Sequence, residues 1–149
     1  MKLKKILVAN RGEIALRIIK TIKEMGLEAV AMYVEIDKNS VYVQNSDHAF
    51  KLDSGYMDQD EIINKAKQFN VDAIHPGYGF LSENAEFCKK IKNEKIVWIG
   101  PDAETIELMG DKINSKNFCI KQNIPTLSKT SKLSDAKKIG YPILVKAVS

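Results

Sequence analysis

The 149-residue sequence holds only 2 cysteines, 2 histidines and 1 tryptophan, and each scarcity removes a class of function. Cys88 and Cys119 stand far apart, match no zinc-ligand spacing and sit inside helical patterns. A disulfide framework and a structural zinc site are therefore excluded, and both residues are read as reduced packing groups. His48 and His75 form no metal-ligand cluster. A lone histidine at a strand end is read as a hydrogen-bonded packing residue rather than a general base. No apolar run approaches the ~18 residues of a membrane span, so no membrane partner is expected. The basic start Met-Lys-Leu-Lys-Lys leads into an apolar run too short for a signal peptide, which points to a cytoplasmic protein. The formal charge of +4 is small and dispersed, with neither a basic stripe nor interleaved aromatics, and argues against nucleic acid as the main partner. The sequence has no internal repeat or low-complexity tract.

What is present is an alternation of short apolar runs with helical patterns. Residues 5–9 suit a buried parallel strand. A helix is predicted to follow, with Asn10 and Glu13 forming a capping box, Ile14, Ile18, Ile22 and Met25 forming an apolar stripe, and Gly26 ending it. Residues 28–34 supply a second strand and complete a βαβ unit. Strands over 48–52, 71–75 and 96–99 and helices over 58–69 and 85–91 extend it. The result is an α/β, Rossmann-like open parallel sheet covered on both faces, with its ligand edge at the carboxyl ends of the strands.

After Gly100-Pro101 the texture changes to two helical stretches, 103–109 and 112–121, separated by Gly110-Asp111. A boundary is expected near residue 110. A short helix capped by Ser134 and stopped by Gly140 then precedes a strand at Ile143-Leu144-Val145. One strand without a partner cannot bury its faces, so residues 110–149 read as the start of a second domain.

The turn Asn10-Arg11-Gly12-Glu13 occupies the place of a G-x-G-x-x-G fingerprint but carries one of its three glycines, which disfavours a nicotinamide or flavin site. A plain helix cap explains it, with Arg11 open as a surface ligand. The stretch His75-Pro76-Gly77-Tyr78-Gly79-Phe80-Leu81-Ser82-Glu83-Asn84 joins a predicted strand to a helix at the ligand edge, with Tyr78 its leading contact candidate. A structural turn explains most of that composition too. Lys112 follows Gly110-Asp111, and Lys146 closes the last apolar run, where an ammonium is costly to bury unless it meets water or an anion such as phosphate. In a chain with 23 basic residues, solvated lysine is the competing explanation for both.

Taken together, Ile6-Leu7-Val8-Ala9-Asn10-Arg11-Gly12-Glu13-Ile14-Ala15, the stretch from His75 to Asn84, Ile99-Gly100-Pro101, Met109-Gly110-Asp111-Lys112 and Gly140-Tyr141-Pro142 resemble the biotin carboxylases in order and approximate spacing. The resemblance implies a pre-ATP-grasp domain over residues 1–110 and the start of an ATP-grasp domain over 111–149. It implies an ATP-dependent ligase in which ATP with magnesium activates bicarbonate as carboxyphosphate and the carboxyl group passes to biotin. The biotin would be carried on a biotin carboxyl carrier protein or domain, and a carboxyltransferase subunit would use it. Acetyl-CoA and pyruvate carboxylases fit equally well.

By motif, Lys112 and Lys146 match ATP-contacting lysines, and Tyr78 and Gly79 match the loop on the biotin side of the cleft. Arg17, Lys20 and Glu24 match positions at a homodimer interface, although their spacing on one helix face also suits a solvated surface. The glycine-rich loop, the magnesium carboxylates and the catalytic residues would lie after Ser149, so these 149 residues alone are expected to be inactive. Tyr42 stands where the family commonly has histidine, and the stretch over 52–60 is shorter than in many members; both are expected to affect only a surface connection. A non-catalytic dimerisation or docking module and another ATP-grasp ligase are the alternatives.

Overall fold

The computed structural model describes residues 3–128, 130 and 132–145. The chain forms two compact units, Met1–Ile106 and Glu107–Ser149. In the first, β1 (Lys5–Val8), β2 (Glu28–Tyr33), β3 (His48–Lys51), β4 (Ala73–His75) and β5 (Val97–Trp98) form one sheet in the order β3-β2-β1-β4-β5. Every pairing is parallel.

The strands are apolar because both faces of the sheet are covered. Successive residues of β1 alternate between two cores. Leu7 packs into the one built with α3 (Gln59–Gln68) and α4 (Ala85–Asn93), and Ile6 and Val8 into the one built with α1 (Gly12–Glu24). From α1 come Ala15, Ile18, Ile19 and Ile22, all buried. Met25 of the expected stripe is instead 66% exposed. It lies at the last turn, beyond which Gly26 adopts φ +72 and Leu27 N donates to Ile22 O, closing a Schellman motif.

On the other face, α4 brings Phe87 edge-on to Trp98 at 5.7 Å between ring centroids. This helix starts where Asn84 accepts from Phe87 N at 2.8 Å. Asn84→Ala removes that cap and is expected to cost about 1 kcal/mol, read as a lower urea midpoint.

Sequence expectation and structure part at several places. The first helix begins at Gly12 with Arg11 as its cap residue and no side-chain cap, so the capping box is not formed. A 3-10 turn (Glu35–Asp37) and the short α2 (Val41–Gln44) lie between β2 and β3, where no element was expected. Tyr42 is not part of a surface connection: it is 2% exposed and among the largest buried side chains.

The second unit contains the second half of α5 (Ala103–Gly110), then α6 (Lys112–Lys121), capped by Asp111, and α7 (Ala136–Ile139). Ser134 does not cap α7; it lies within the 3-10 turn Leu133–Asp135. Residues 143–145 form no strand among the described residues, and Lys146 lies outside them. Among the described residues no helix is long and apolar enough to cross a membrane.

Candidate functional site

The strand order reverses direction between β1 and β4. The chain leaves β1 through α1 toward β2 on one side, and leaves β4 through α4 toward β5 on the other, so the two connections diverge at the carboxyl ends of neighbouring strands. This switch point is where open α/β sheets bind ligands, and three side chains of the Asn10-Arg11-Gly12-Glu13 turn meet other loops here.

Asn10 is 2% exposed. Its Nδ2 donates to Pro76 O and to Tyr78 O, both at 2.8 Å, while its Oδ1 accepts from Arg11 N at 2.9 Å. A side chain expected to cap its own helix thus pins the loop after β4, with every polar atom used. Gly77 lies between the two pinned carbonyls at φ +68, and a Cβ there would stand 2.6 Å from Asn10 Nδ2. His75 Nδ1 accepts from Gly77 N at 3.0 Å, and burial lowers its pKa, so the ring is a neutral hydrogen-bonded acceptor.

Arg11 clamps Asp37 through Nε at 2.7 Å and Nη2 at 2.6 Å. Tyr56 donates to the same carboxylate at 2.5 Å, and Tyr42 Oη lies 3.0 Å from Tyr56 Oη and 3.1 Å from Met32 O. Because the Tyr56 proton goes to Asp37, its oxygen is left to accept. The Arg11 hydrogen bond, followed by that of Tyr56, holds the Asp37 carboxyl below the usual range. Burial first, then the Asp37 hydrogen bond, pushes the Tyr56 phenol up. Phe80 packs on Tyr56 at 5.5 Å between centroids, so this network continues into the loop after β4.

Glu13 accepts from Tyr78 Oη at 2.5 Å. That bond, and then one from its own backbone amide, lowers the Glu13 pKa, while the Tyr78 phenol is raised by the same partner. A carboxylate already occupies the positive end of α1, which opposes an anionic ligand there and agrees with the missing pyrophosphate glycines.

Tyr78 is 59% exposed, and beside it Gly79 adopts φ +64 with open space where a Cβ would stand. Arg17, Lys20 and Glu24 are exposed along α1, with Lys20 and Glu24 paired at 4.0 Å. Lys112 is exposed at the first position of α6, next to Asp111, whose carboxylate accepts from Ile113 N and Asn114 N at 2.7 Å. Cys88 is buried and Cys119 half-buried, both as free thiols. No group of three or more His, Cys, Asp or Glu among the described residues could hold a metal ion.

Sequence reasoning missed Asp37 and Tyr56. No motif surrounds either, and the one available signal was Tyr42, noted there as a departure from a family pattern.

Residues 2–106 match the family model of the biotin carboxylase N-terminal domain. The chain is 44% identical, over 97% of its length, to the alpha subunit of mitochondrial methylcrotonoyl-CoA carboxylase from Dictyostelium discoideum, and spans 22% of that protein. It is 42% identical, over its whole length, to the biotin carboxylase of Nostoc sp., of which it spans 36%. A similar structure is the dimeric biotin carboxylase domain of Hydrogenobacter thermophilus 2-oxoglutarate carboxylase, in complex with MgADP, ADP and bicarbonate. It superposes with a TM-score of 0.91 at 39% identity, covering 99% of this chain and 35% of that one.

Proposed function

The chain belongs to the biotin carboxylase family through its N-terminal domain, and from that premise we propose that it works within a biotin-dependent carboxylase as part of the component that uses ATP and bicarbonate to carboxylate biotin. The observation that carries this reading is the pairing of the family match over residues 2–106 with identity of 42% across the whole chain to a biotin carboxylase. Residues 1–110 act as the pre-ATP-grasp domain and 111–149 as the start of the ATP-grasp domain.

Lys112 and Lys146 contact ATP as flexible point charges, neutralising phosphate. Magnesium, when bound with ATP, supplies further charge neutralisation from ligands outside the described residues. Tyr78 and Gly79 face biotin; the exposed ring and the open space beside Gly79 support this assignment. Arg17, Lys20 and Glu24 take part in a homodimer. The partners are a biotin carboxyl carrier protein or domain and a carboxyltransferase subunit.

Bicarbonate-dependent ATP hydrolysis tests the reading. The full polypeptide that carries this sequence is expected to hydrolyse ATP when bicarbonate and free biotin are supplied, and the 149 residues alone are not. Lys112→Ala in the full polypeptide is expected to raise the KM for ATP about tenfold, the loss of one charge-assisted contact. Comparable turnover by the 149 residues would refute the division of labour, and absence of turnover in the full polypeptide would refute the function.

A further inference from the structure

The loop after β4 is pinned at its backbone, since Asn10 holds the carbonyls on both sides of Gly77. The Tyr78 side chain is fixed by a different residue. Its ring projects into solvent, where two torsions are open to it, and its hydroxyl is tied to the carboxylate of Glu13. Glu13 sits in the first turn of α1, whose buried face fixes that helix on the sheet. A residue from the β1 side of the switch point thereby sets the direction of a side chain from the β4 side.

We infer that Glu13 is a positioning residue: it holds the exposed Tyr78 ring in the orientation that receives the ureido ring of carried biotin. The inference rests on the reading of Tyr78 and Gly79 as the biotin-facing loop and deepens it. Two observations favour orientation over stability. Both partners are exposed, so their hydrogen bond exchanges with water at little net gain to folding. The backbone of the loop is already held by Asn10, so the fold does not need this contact. What the contact adds is a single ring direction, and pre-organising a binding group lowers the entropy cost of binding.

The test uses the full polypeptide with free biotin as the probe. Glu13→Ala and Tyr78→Phe each remove the hydrogen bond. Each is expected to raise the KM for biotin about fivefold, and the double variant should do no worse than either alone, because one interaction is lost in all three. The KM for ATP and the thermal midpoint should stay at wild-type values. Glu13→Gln, which retains a carbonyl acceptor, should recover most of the biotin affinity. A Glu13→Ala enzyme with wild-type KM for biotin overturns the inference, as do additive effects in the double variant. A lowered thermal midpoint with the KM values for ATP and biotin raised together would show a structural role and overturn it as well. If the wild-type polypeptide shows no biotin-dependent turnover, the proposed function falls and this inference falls with it.

Discussion

Gly77→Ala is expected to destabilise the first unit by about 3–5 kcal/mol, a large part of what a domain of this size possesses. Two costs add. At φ +68 any L side chain meets its own backbone, which costs about 1–2 kcal/mol. The new methyl group would also stand 2.6 Å from Asn10 Nδ2, and Asn10 has no room to retreat, being 2% exposed and bonded at both ends. Moving it breaks the bonds to Pro76 O, which is buried, and to Tyr78 O, which is part-buried, and a buried carbonyl left without a donor costs about 1–3 kcal/mol.

Gly79→Ala separates the two costs. It has nearly the same backbone conformation, φ +64, but open space around the added carbon, so only the backbone cost of about 1–2 kcal/mol is expected. Urea denaturation of the two variants side by side is decisive. Equal losses would mean that backbone conformation alone matters and that the Asn10 contact carries no weight.

The same pair of residues marks where reading along the chain stops. The elements that were legible are those whose cause is local. The buried runs of β1 and β2 and the Ile18 and Ile22 positions of the α1 stripe follow from residues a few positions apart, and α6 was placed over 112–121 as observed. Asn10 was misread because its side chain has two uses. Beside a helix it looks like a cap, whereas its partners lie 66 and 68 residues away.

Asp37 and Tyr56 stand 19 positions apart with α2 and β3 between them, and only the pairing of β3 with β2 brings their loops together. The strand expected at 143–145 fails for a related reason: an apolar run supplies a strand's side chains, but its hydrogen bonds must come from a partner elsewhere. Tyr78 and its glycines were visible as a loop at the ligand edge, but the tie to Glu13 was not, because Glu13 was already explained as a capping carboxylate.

Asp37→Ala carries the second large effect, an expected loss of about 2–3 kcal/mol at neutral pH. Its carboxylate is 8% exposed and takes both nitrogens of the Arg11 fork together with the Tyr56 hydroxyl. Removing it leaves two phenols, the buried Tyr42 and the half-buried Tyr56, with one acceptor fewer between them. Arg11 is 45% exposed and can turn to water, which keeps the loss below that of a fully buried pair.

The sign of the pH dependence follows from the lowered folded pKa of Asp37. Its unfolded value is near the ordinary carboxyl value of about 3.9, so the stabilisation is complete above that pH. It declines as the pH falls through the folded value, because the unfolded chain takes up the proton first. Urea midpoints of wild type and Asp37→Ala should therefore differ most at pH 7 and converge in strong acid. A gap of constant size down to pH 2 would mean that Asp37 acts through packing and not through its charge. Asp37→Asn distinguishes the parts: it keeps an acceptor for Tyr56 and loses the ion pair, so it should fall between the other two at pH 7 and should vary little with acid.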